Sequence, residues 1–413
     1  MHSSKHIIGS KNNELSGKKI CLCITGSVAA VRSVELAREL MRRGAEVFCV
    51  MSEAASRLIG PDLMHWATGN PVVCGLTGEC EHISLCGEVP EKVDAVLIAP
   101  CTANTIGKIA CGIDDTSVTT VASTALGSKI PIIVVPAMHA SIYANPFVAE
   151  NIGRLKKNGI IVVEPHISDG KAKLPETGEI VDECVRATRT HDLEGAKVLV
   201  TAGATREFID DIRFISNPGT GRMGIAIARE AWLRGADVTV VAGHVEIPIP
   251  RYLNAVYVES VHEMFNEVKK RAPEVDIVVL SASAGDFVVE KRFGGKACSE
   301  RKICLELTPA PKISNEIKKW NPKAKLILFK AESGVGDAEL LHIAKKKMEE
   351  CAADLIVAND VKREGAGFGS ETNEVLLIQK DGRTEKMRAL KTEIAKKAIE
   401  YVLVGLHGFA VGR

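Results

Sequence analysis

GKKICLCITGSVAAVRSVELARELMRRGAEVFCVMS, residues 17–52, and GAKVLVTAGATREFIDDIRFISNPGTGRMGIAIAREAWLRGADVTVVAG, residues 195–243, open the two halves of the chain in the same way. Each begins with an apolar, β-rich run and a glycine-containing turn. Each continues with a helical pattern, then Arg-Gly-Ala and a second apolar run. In the first helix the apolar residues Val31, Val34, Leu36, Leu40 and Met41 recur close to helical spacing. Gly44 and Gly235 stand where a helix C-cap belongs. This is the βαβ unit of a parallel sheet, started twice. The runs at 94–100, 130–136 and 160–165 continue the first half, and those at 276–283, 325–332 and 354–360 the second. Such near-continuous apolar runs suit strands buried on both faces. The expectation is an α/β protein with two open, mainly parallel-sheet domains. Residues 1–16 read as a mobile tail, 17–183 as the first domain, 184–194 as a linker within the polar stretch 179–194, and 195–405 as the second domain.

Composition narrows the class. The 413 residues are 46% hydrophobic and 25% charged, which excludes disorder as the main state. With 53 basic and 52 acidic residues the net charge is +1, so a large nucleic-acid footprint is not expected. No stretch approaches the ~20 apolar residues of a membrane span, and the N-terminus lacks the apolar core of a signal peptide. The 12 cysteines form no Cys-x-x-Cys pair and several sit inside apolar runs. They read as reduced core thiols of a cytoplasmic protein.

In open parallel sheets, ligands bind beyond the carboxyl ends of the strands. The first half places Ile24-Thr-Gly26-Ser27 there, small residues that let backbone N–H groups approach an anion. Tight strand-to-helix turns use the same residues without a ligand. Ala99-Pro100-Cys101-Thr102-Ala103-Asn104-Thr105 is more specific, because one helix N-cap explains one of its polar side chains and not the cluster. In the second half, Gly219-Thr-Gly221-Arg-Met-Gly224 fits a dinucleotide fingerprint literally. A true fingerprint follows its strand at once; here fifteen residues, 204–218, intervene. The pattern is read as a decoy that still exposes backbone donors to an anion.

GSVAAV, MSEAA, APCTANTIGKIACGIDD and PAMHASIY together resemble the homo-oligomeric flavin-containing cysteine decarboxylases. The resemblance implies a flavodoxin-like sheet with FMN bound between subunits. Gly26, Ser27 and Ser52 would contact the FMN phosphate end. Pro100, Cys101, Thr102, Ala103, Asn104 and Thr105 would line the isoalloxazine and ribitol. Glu81-His82-Ile83-Ser84-Leu85 matches the context of the family's catalytic base, which makes His82 the candidate; a lone histidine is more often structural. A zinc site from Cys74, Cys80, His82 and Cys86 fits no common spacing. Two departures stand out. His139 occupies the place of an asparagine that holds the substrate carboxylate in the family. Lys173 occupies the place of a flap cysteine that acts as proton donor.

Thr201-Ala-Gly-Ala-Thr205-Arg206-Glu207, Arg213-Phe-Ile-Ser-Asn217, Ala284-Gly-Asp286-Phe, Lys296, Phe329-Lys-Ala-Glu332 and Ala358-Asn-Asp-Val361 resemble the phosphopantothenoylcysteine synthetases. That family implies a Rossmann-like synthetase domain. By resemblance Asp286 would bind the nucleotide ribose and a metal ion, Mg2+ or Mn2+. Lys296, on a Gly-Gly flap, would stabilise the acyl-cytidylate. Asn217 would hold the acyl group with Arg213 nearby, Phe329 would line the substrate site, and Lys347 would contact phosphate. A second phosphate lysine is Cys351 here. The two resemblances side by side point to the bifunctional synthetase/decarboxylase family of coenzyme A biosynthesis. The implied reactions are CTP-dependent joining of 4′-phosphopantothenate to cysteine, then FMN-dependent decarboxylation to 4′-phosphopantetheine. The implied assembly is a homo-oligomer, a dodecamer of trimers joined by dimers, with no nucleic-acid or membrane partner. The alternative from another class is a two-domain flavin/NAD(P)-binding oxidoreductase.

Overall fold

Strand Lys19–Ile24 runs parallel to Glu46–Met51 on one side and to Ala95–Cys101 on the other. Those three strands are the centre of a six-stranded sheet ordered Val72–Val73, Glu46–Met51, Lys19–Ile24, Ala95–Cys101, Ile132–Pro136, Ile161–Val162. All neighbours are parallel. Without the two-residue edge strand Val72–Val73, the order is flavodoxin-like. The strand order reverses between Lys19–Ile24 and Ala95–Cys101, which opens a crevice beyond their carboxyl ends. Ala95–Cys101 is buried at every position, as expected of a strand covered on both faces.

The computed structural model describes residues 2–298, 300 and 302–403, so the last two residues expected in the second domain, 404–405, lie outside it. The chain divides into two units, Met1–Thr190 and His191–Arg413. Two boundaries and one helical position differ from expectation. The expected tail, residues 1–16, is packed over its described part, 2–16: Ser3–Ile7 forms a 3-10 helix, Lys5 pairs with Glu46 at 2.8 Å, and Leu15 is fully buried. The gain from burying Leu15 outweighs the polar character of its neighbours. The expected linker 184–194 is largely structured too. Cys184 and Val185 are buried on the helix Thr177–Ala187, which Asp182 ties to Arg43 by a buried ion pair of 2.6 Å. On the other side of the division Leu193 is 2% exposed, and its N–H donates to the Arg234 carbonyl at 2.9 Å. Val31, finally, is 68% exposed rather than core. Ser27 caps a 3-10 turn, Val28–Arg32, and the α-helix starts only at Ser33. The 3.6-residue phase therefore begins after Val31.

The second unit holds an eight-stranded sheet ordered Asn254–Tyr257, Asp237–Ala242, Lys197–Ala202, Ile277–Leu280, Lys325–Glu332, Leu355–Asp360, Thr372–Gln379, Thr384–Leu390. The first six strands are parallel in Rossmann-like order. An antiparallel hairpin, 372–390, closes one edge and was not read from the sequence. The order reverses between Lys197–Ala202 and Ile277–Leu280. Helix Arg222–Leu233 packs on this sheet, and a Cβ at Gly224 would come within 2.8 Å of the Ala202 Cβ, so the glycine sets that close approach. Among the described residues no helix is long and apolar enough to cross a membrane.

Candidate functional site

The crevice of the first unit contains a cavity of about 610 Å³ at the predicted strand ends. Gly26, Ser27, Thr102, Ala103, Asn104, Met138 and His139 line it, and so do Lys171 and Lys173 of a small antiparallel ribbon. Gly26 is obligatory, because a Cβ there would lie 2.5 Å from the Ala54 Cβ. Thr25 joins the two central strand ends: its hydroxyl donates to the Pro100 carbonyl at 2.7 Å and accepts the Thr102 N–H at 3.0 Å. Thr102 caps the helix Ala103–Cys111 by accepting the Thr105 N–H at 3.4 Å, and the Thr105 hydroxyl lies 3.2 Å from the Thr102 hydroxyl. Capping and its hydroxyl pair thus engage Thr102 and Thr105 locally, while Asn104 stays exposed on the cavity wall.

Other expected residues stand apart. Pro100, Cys101 and Thr105 lie behind the wall, and burial pushes the Cys101 thiol pKa up. Ser52 lies beyond the strand end opposite Ile24, where its hydroxyl caps the Ala55 N–H at 3.3 Å rather than lining the cavity. His82, on the short helix Glu81–Cys86, is also outside the cavity of its own chain. Its Nδ1 is buried without a hydrogen-bond partner. Cys86 is buried whereas Cys74 and Cys80 are exposed, and among the described residues no group of three or more metal-ligating side chains assembles.

The ionisable side chains lining this cavity are Arg32, His139, Lys171 and Lys173; no carboxylate is among them. Arg32 anchors the ribbon through the Leu174 carbonyl at 3.1 Å and the Thr177 hydroxyl at 3.3 Å. Lys173 pairs with Asp169 at 2.5 Å and holds that carboxyl below the usual range. His139 and Lys171 are direct cross-strand partners. A large, mainly apolar cavity with a basic rim fits a flat aromatic group bearing phosphate, and thus FMN.

Two cavities of the second unit, of about 480 Å³ and about 570 Å³, lie side by side. They share Ala282, Ala284, Asp286, Phe329 and Lys330. Asn217, the glycine loop 219–224, Arg222 and Lys391 line the first. Asn217 donates to the Ala284 carbonyl at 3.2 Å, which holds the amide at the end of strand Ile277–Leu280. Lys312, His342, Lys346 and Lys347 line the second. Asp286 pairs with Lys312, and Lys347 donates to Asn315 at 2.9 Å. Cys351 is buried, with its pKa raised by burial, and leaves the cavity to Lys346 as the second cation beside Lys347. Arg213 and Lys296 line neither cavity; Lys296 is exposed on its loop. The sequence reading missed Lys312, Lys346 and Lys391. For Lys346 the adjacent Lys345-Lys346-Lys347 run was a usable signal; for Lys391 no local pattern marks it.

The glycine loop follows a ribbon, Arg206–Phe208 with Phe214–Ser216, rather than the strand itself. Comparisons with known proteins identify relatives of both units. The Flavoprotein family matches residues 8–189. The family described as DNA/pantothenate metabolism flavoprotein C-terminal domain matches residues 193–405. A Coenzyme A biosynthesis bifunctional protein CoaBC of Thermococcus kodakarensis is 47% identical over 96% of this chain and 98% of its own length. The protein of the same name from Methanocaldococcus jannaschii is 36% identical over 97% of each chain. That of Bacillus subtilis is 33% identical over 90% of this chain and 93% of its own. None of these relatives supports the oxidoreductase alternative. A flavoprotein unit followed by a pantothenate-metabolism unit, matched nearly end to end by such relatives, makes this chain a member of the coenzyme A biosynthesis bifunctional protein family.

Proposed function

We propose that the chain catalyses two consecutive steps, ligation in its second unit and decarboxylation in its first. The observation that carries the ligase assignment is the meeting of two cavities at Asp286, Phe329 and Lys330. A reaction between a nucleoside triphosphate and a carboxylate needs two such pockets sharing one wall. Lys312, Lys346 and Lys347 neutralise the triphosphate of CTP, since charge on transferring phosphoryl groups is stabilised by fixed cations. Asn217 orients the acyl group of 4′-phosphopantothenate. The carboxylate attacks the α-phosphorus, pyrophosphate leaves, and the cysteine amine then displaces CMP from the acyl carbon. Lys296 closes on the acyl-cytidylate from its flap. Asp286 lines both cavities and would hold a bound Mg2+ or Mn2+, which would add charge neutralisation there.

Bound in the first unit, FMN would supply a reversible two-electron acceptor for the substrate thiol. Gly26, Ser27 and Asn104 hold the cofactor, and His139 with Lys171 and Lys173 faces the substrate carboxylate. His82 serves as the base on the thiol. Because it lies outside its own chain's cavity, the site is completed by another copy, in a homo-oligomer that we place at a dodecamer of trimers joined by dimers. Lys173 returns the last proton. The enzyme works in the cytoplasm on small soluble substrates. The test is the purified protein itself. It should be yellow and release CMP and pyrophosphate only when phosphopantothenate and cysteine are both present. Nicotinamide turnover without CMP release would overturn the assignment.

A further inference from the structure

The ammonium of Lys391 is the least expected group in the first ligase cavity. The residue is 7% exposed and opens the last helix, Lys391–Leu403. A buried cation is normally paired with a carboxylate, yet among the described residues Lys391 makes no ion pair. Its Nζ donates instead to three backbone carbonyls, Gly367 at 3.4 Å, Phe368 at 2.9 Å and Ser370 at 2.5 Å. The acid nearest this group, Glu371, is paired with Arg222. Burial and the neighbouring Arg222 push the lysine pKa down.

These three carbonyls belong to the loop 365–370, which contributes Ala366, Gly367 and Phe368 to the cavity wall. Thr220, in the facing glycine loop, donates to the same Phe368 carbonyl at 2.8 Å. A segment this rich in glycine, Gly-Ala-Gly-Phe-Gly, has little conformation of its own. The two donors close it onto the start of helix Arg222–Leu233. Of the other charged side chains on this wall, Asp286 pairs with Lys312, Lys330 with Glu332 and Arg222 with Glu371, which leaves Lys391 as the lining cation without a carboxylate partner among the described residues. On that wall the Arg222 Nε and the Ser281 hydroxyl are buried without hydrogen-bond partners, donors left for a ligand.

We propose that Lys391 is a positioning residue of the ligase site: it holds loop 365–370 as a cavity wall and supplies positive charge for the phosphate of the acid substrate. The proposal rests on the ligase reading of this cavity. It predicts selectivity for a phosphorylated over an unphosphorylated acid, because only the phosphate gains from that charge. A group that acted only on folding would change stability without changing this selectivity.

The test uses the full chain. Lys391→Met is expected to raise KM for phosphopantothenate at least about 10-fold, the scale of one or two charge-assisted hydrogen bonds, with KM for CTP within about two-fold. The parent's preference for phosphopantothenate over pantothenate should shrink with it, and Lys391→Arg should restore part of that preference. Decarboxylation of supplied phosphopantothenoylcysteine should continue. Unchanged KM and unchanged preference in a folded Lys391→Met protein overturn the proposal. If that variant fails to fold, hydrogen exchange of the parent decides: phosphopantothenate should protect residues 365–370, and equal exchange with and without it overturns the proposal. A parent that makes no CMP from phosphopantothenate, cysteine and CTP overturns the ligase reading itself, a result distinct from either.

Discussion

Asp210 accepts the backbone N–H of Ala297 at 3.1 Å and so moors the loop that carries Lys296. The same carboxylate oxygen takes the Arg213 guanidinium at 3.3 Å, and Arg213 donates onward to the Ala297 carbonyl at 3.3 Å. Asp210 is 2% exposed, and its carboxyl is held below the usual range by the N–H groups of Arg213 and Ile212. Arg213 and Lys296, which sequence resemblance names separately, are therefore two parts of one tethered flap.

Lys296→Gln is expected to reduce ligation on the order of 10²-fold while supplied phosphopantothenoylcysteine is still decarboxylated. Asp210→Ala should reduce ligation by about 10-fold through the loosened loop, since one buried charge-assisted bond is worth roughly that factor. CMP release measures both. An unchanged ligation rate in Lys296→Gln would reduce that residue to a solvated loop lysine.

His82→Asn should abolish carbon dioxide release and leave CMP formation at the parent rate. The two sites lie in separate units, so their losses should be independent. Mass spectrometry should find phosphopantothenoylcysteine accumulating. Normal decarboxylation by the folded, FMN-loaded variant would remove His82 from the mechanism.

Lys173→Met tests the proton donor. Carbon dioxide should be lost once, FMN should stay reduced, and an oxidised, unsaturated thiol should accumulate. Flavin absorbance and product mass report the outcome. Full phosphopantetheine mass at the parent rate would exclude Lys173 and pass the role to His139, which lines the same cavity.

Glu183 gives a pH dependence of stability. Burial on the helix Thr177–Ala187 raises its pKa to about 7 from the ordinary 4.5 of a glutamate. A folded-state pKa above the unfolded one means the protonated form is favoured by folding. Its stabilising contribution is complete below pH 4.5 and is lost as pH rises through about 7. Glu183→Gln should thus melt about 2–4 °C above the parent at pH 8, and the difference should vanish near pH 4. Thermal melts across that range measure it; a difference independent of pH would contradict the assignment.

Light scattering at micromolar concentration should give a particle several times the 44.3 kDa chain mass. A monomer with FMN bound would refute a site completed between copies.

Much of this protein is written locally. The runs at 325–332 and 354–360 became adjacent parallel strands because apolar side chains on both faces leave a segment no stable place except inside a sheet. The decoy reading of Gly219-x-Gly-x-x-Gly followed from counting residues after a strand. The departures at His139 and Lys173 are visible as letters. Other features depend on neighbours distant in sequence. Val31 keeps helical spacing yet is exposed, because the Ser27 cap inserts a 3-10 turn ahead of the helix. Strand Thr372–Gln379 largely alternates buried and half-buried positions, but only pairing with Leu355–Asp360 gives its inner face something to cover.

The sequence by itself determined the α/β class, the two-unit order and which strand ends line the cavities, since each follows from periodicity over a few residues. Tertiary structure alone decided which charges share a cavity. Lys346 took the place left by the buried Cys351, His82 was left outside its own chain's cavity, and Lys391 reached the carbonyls of 367–370 across an intervening hairpin. Strand order sets those distances, and strand order is settled by long-range pairing that no local spacing encodes.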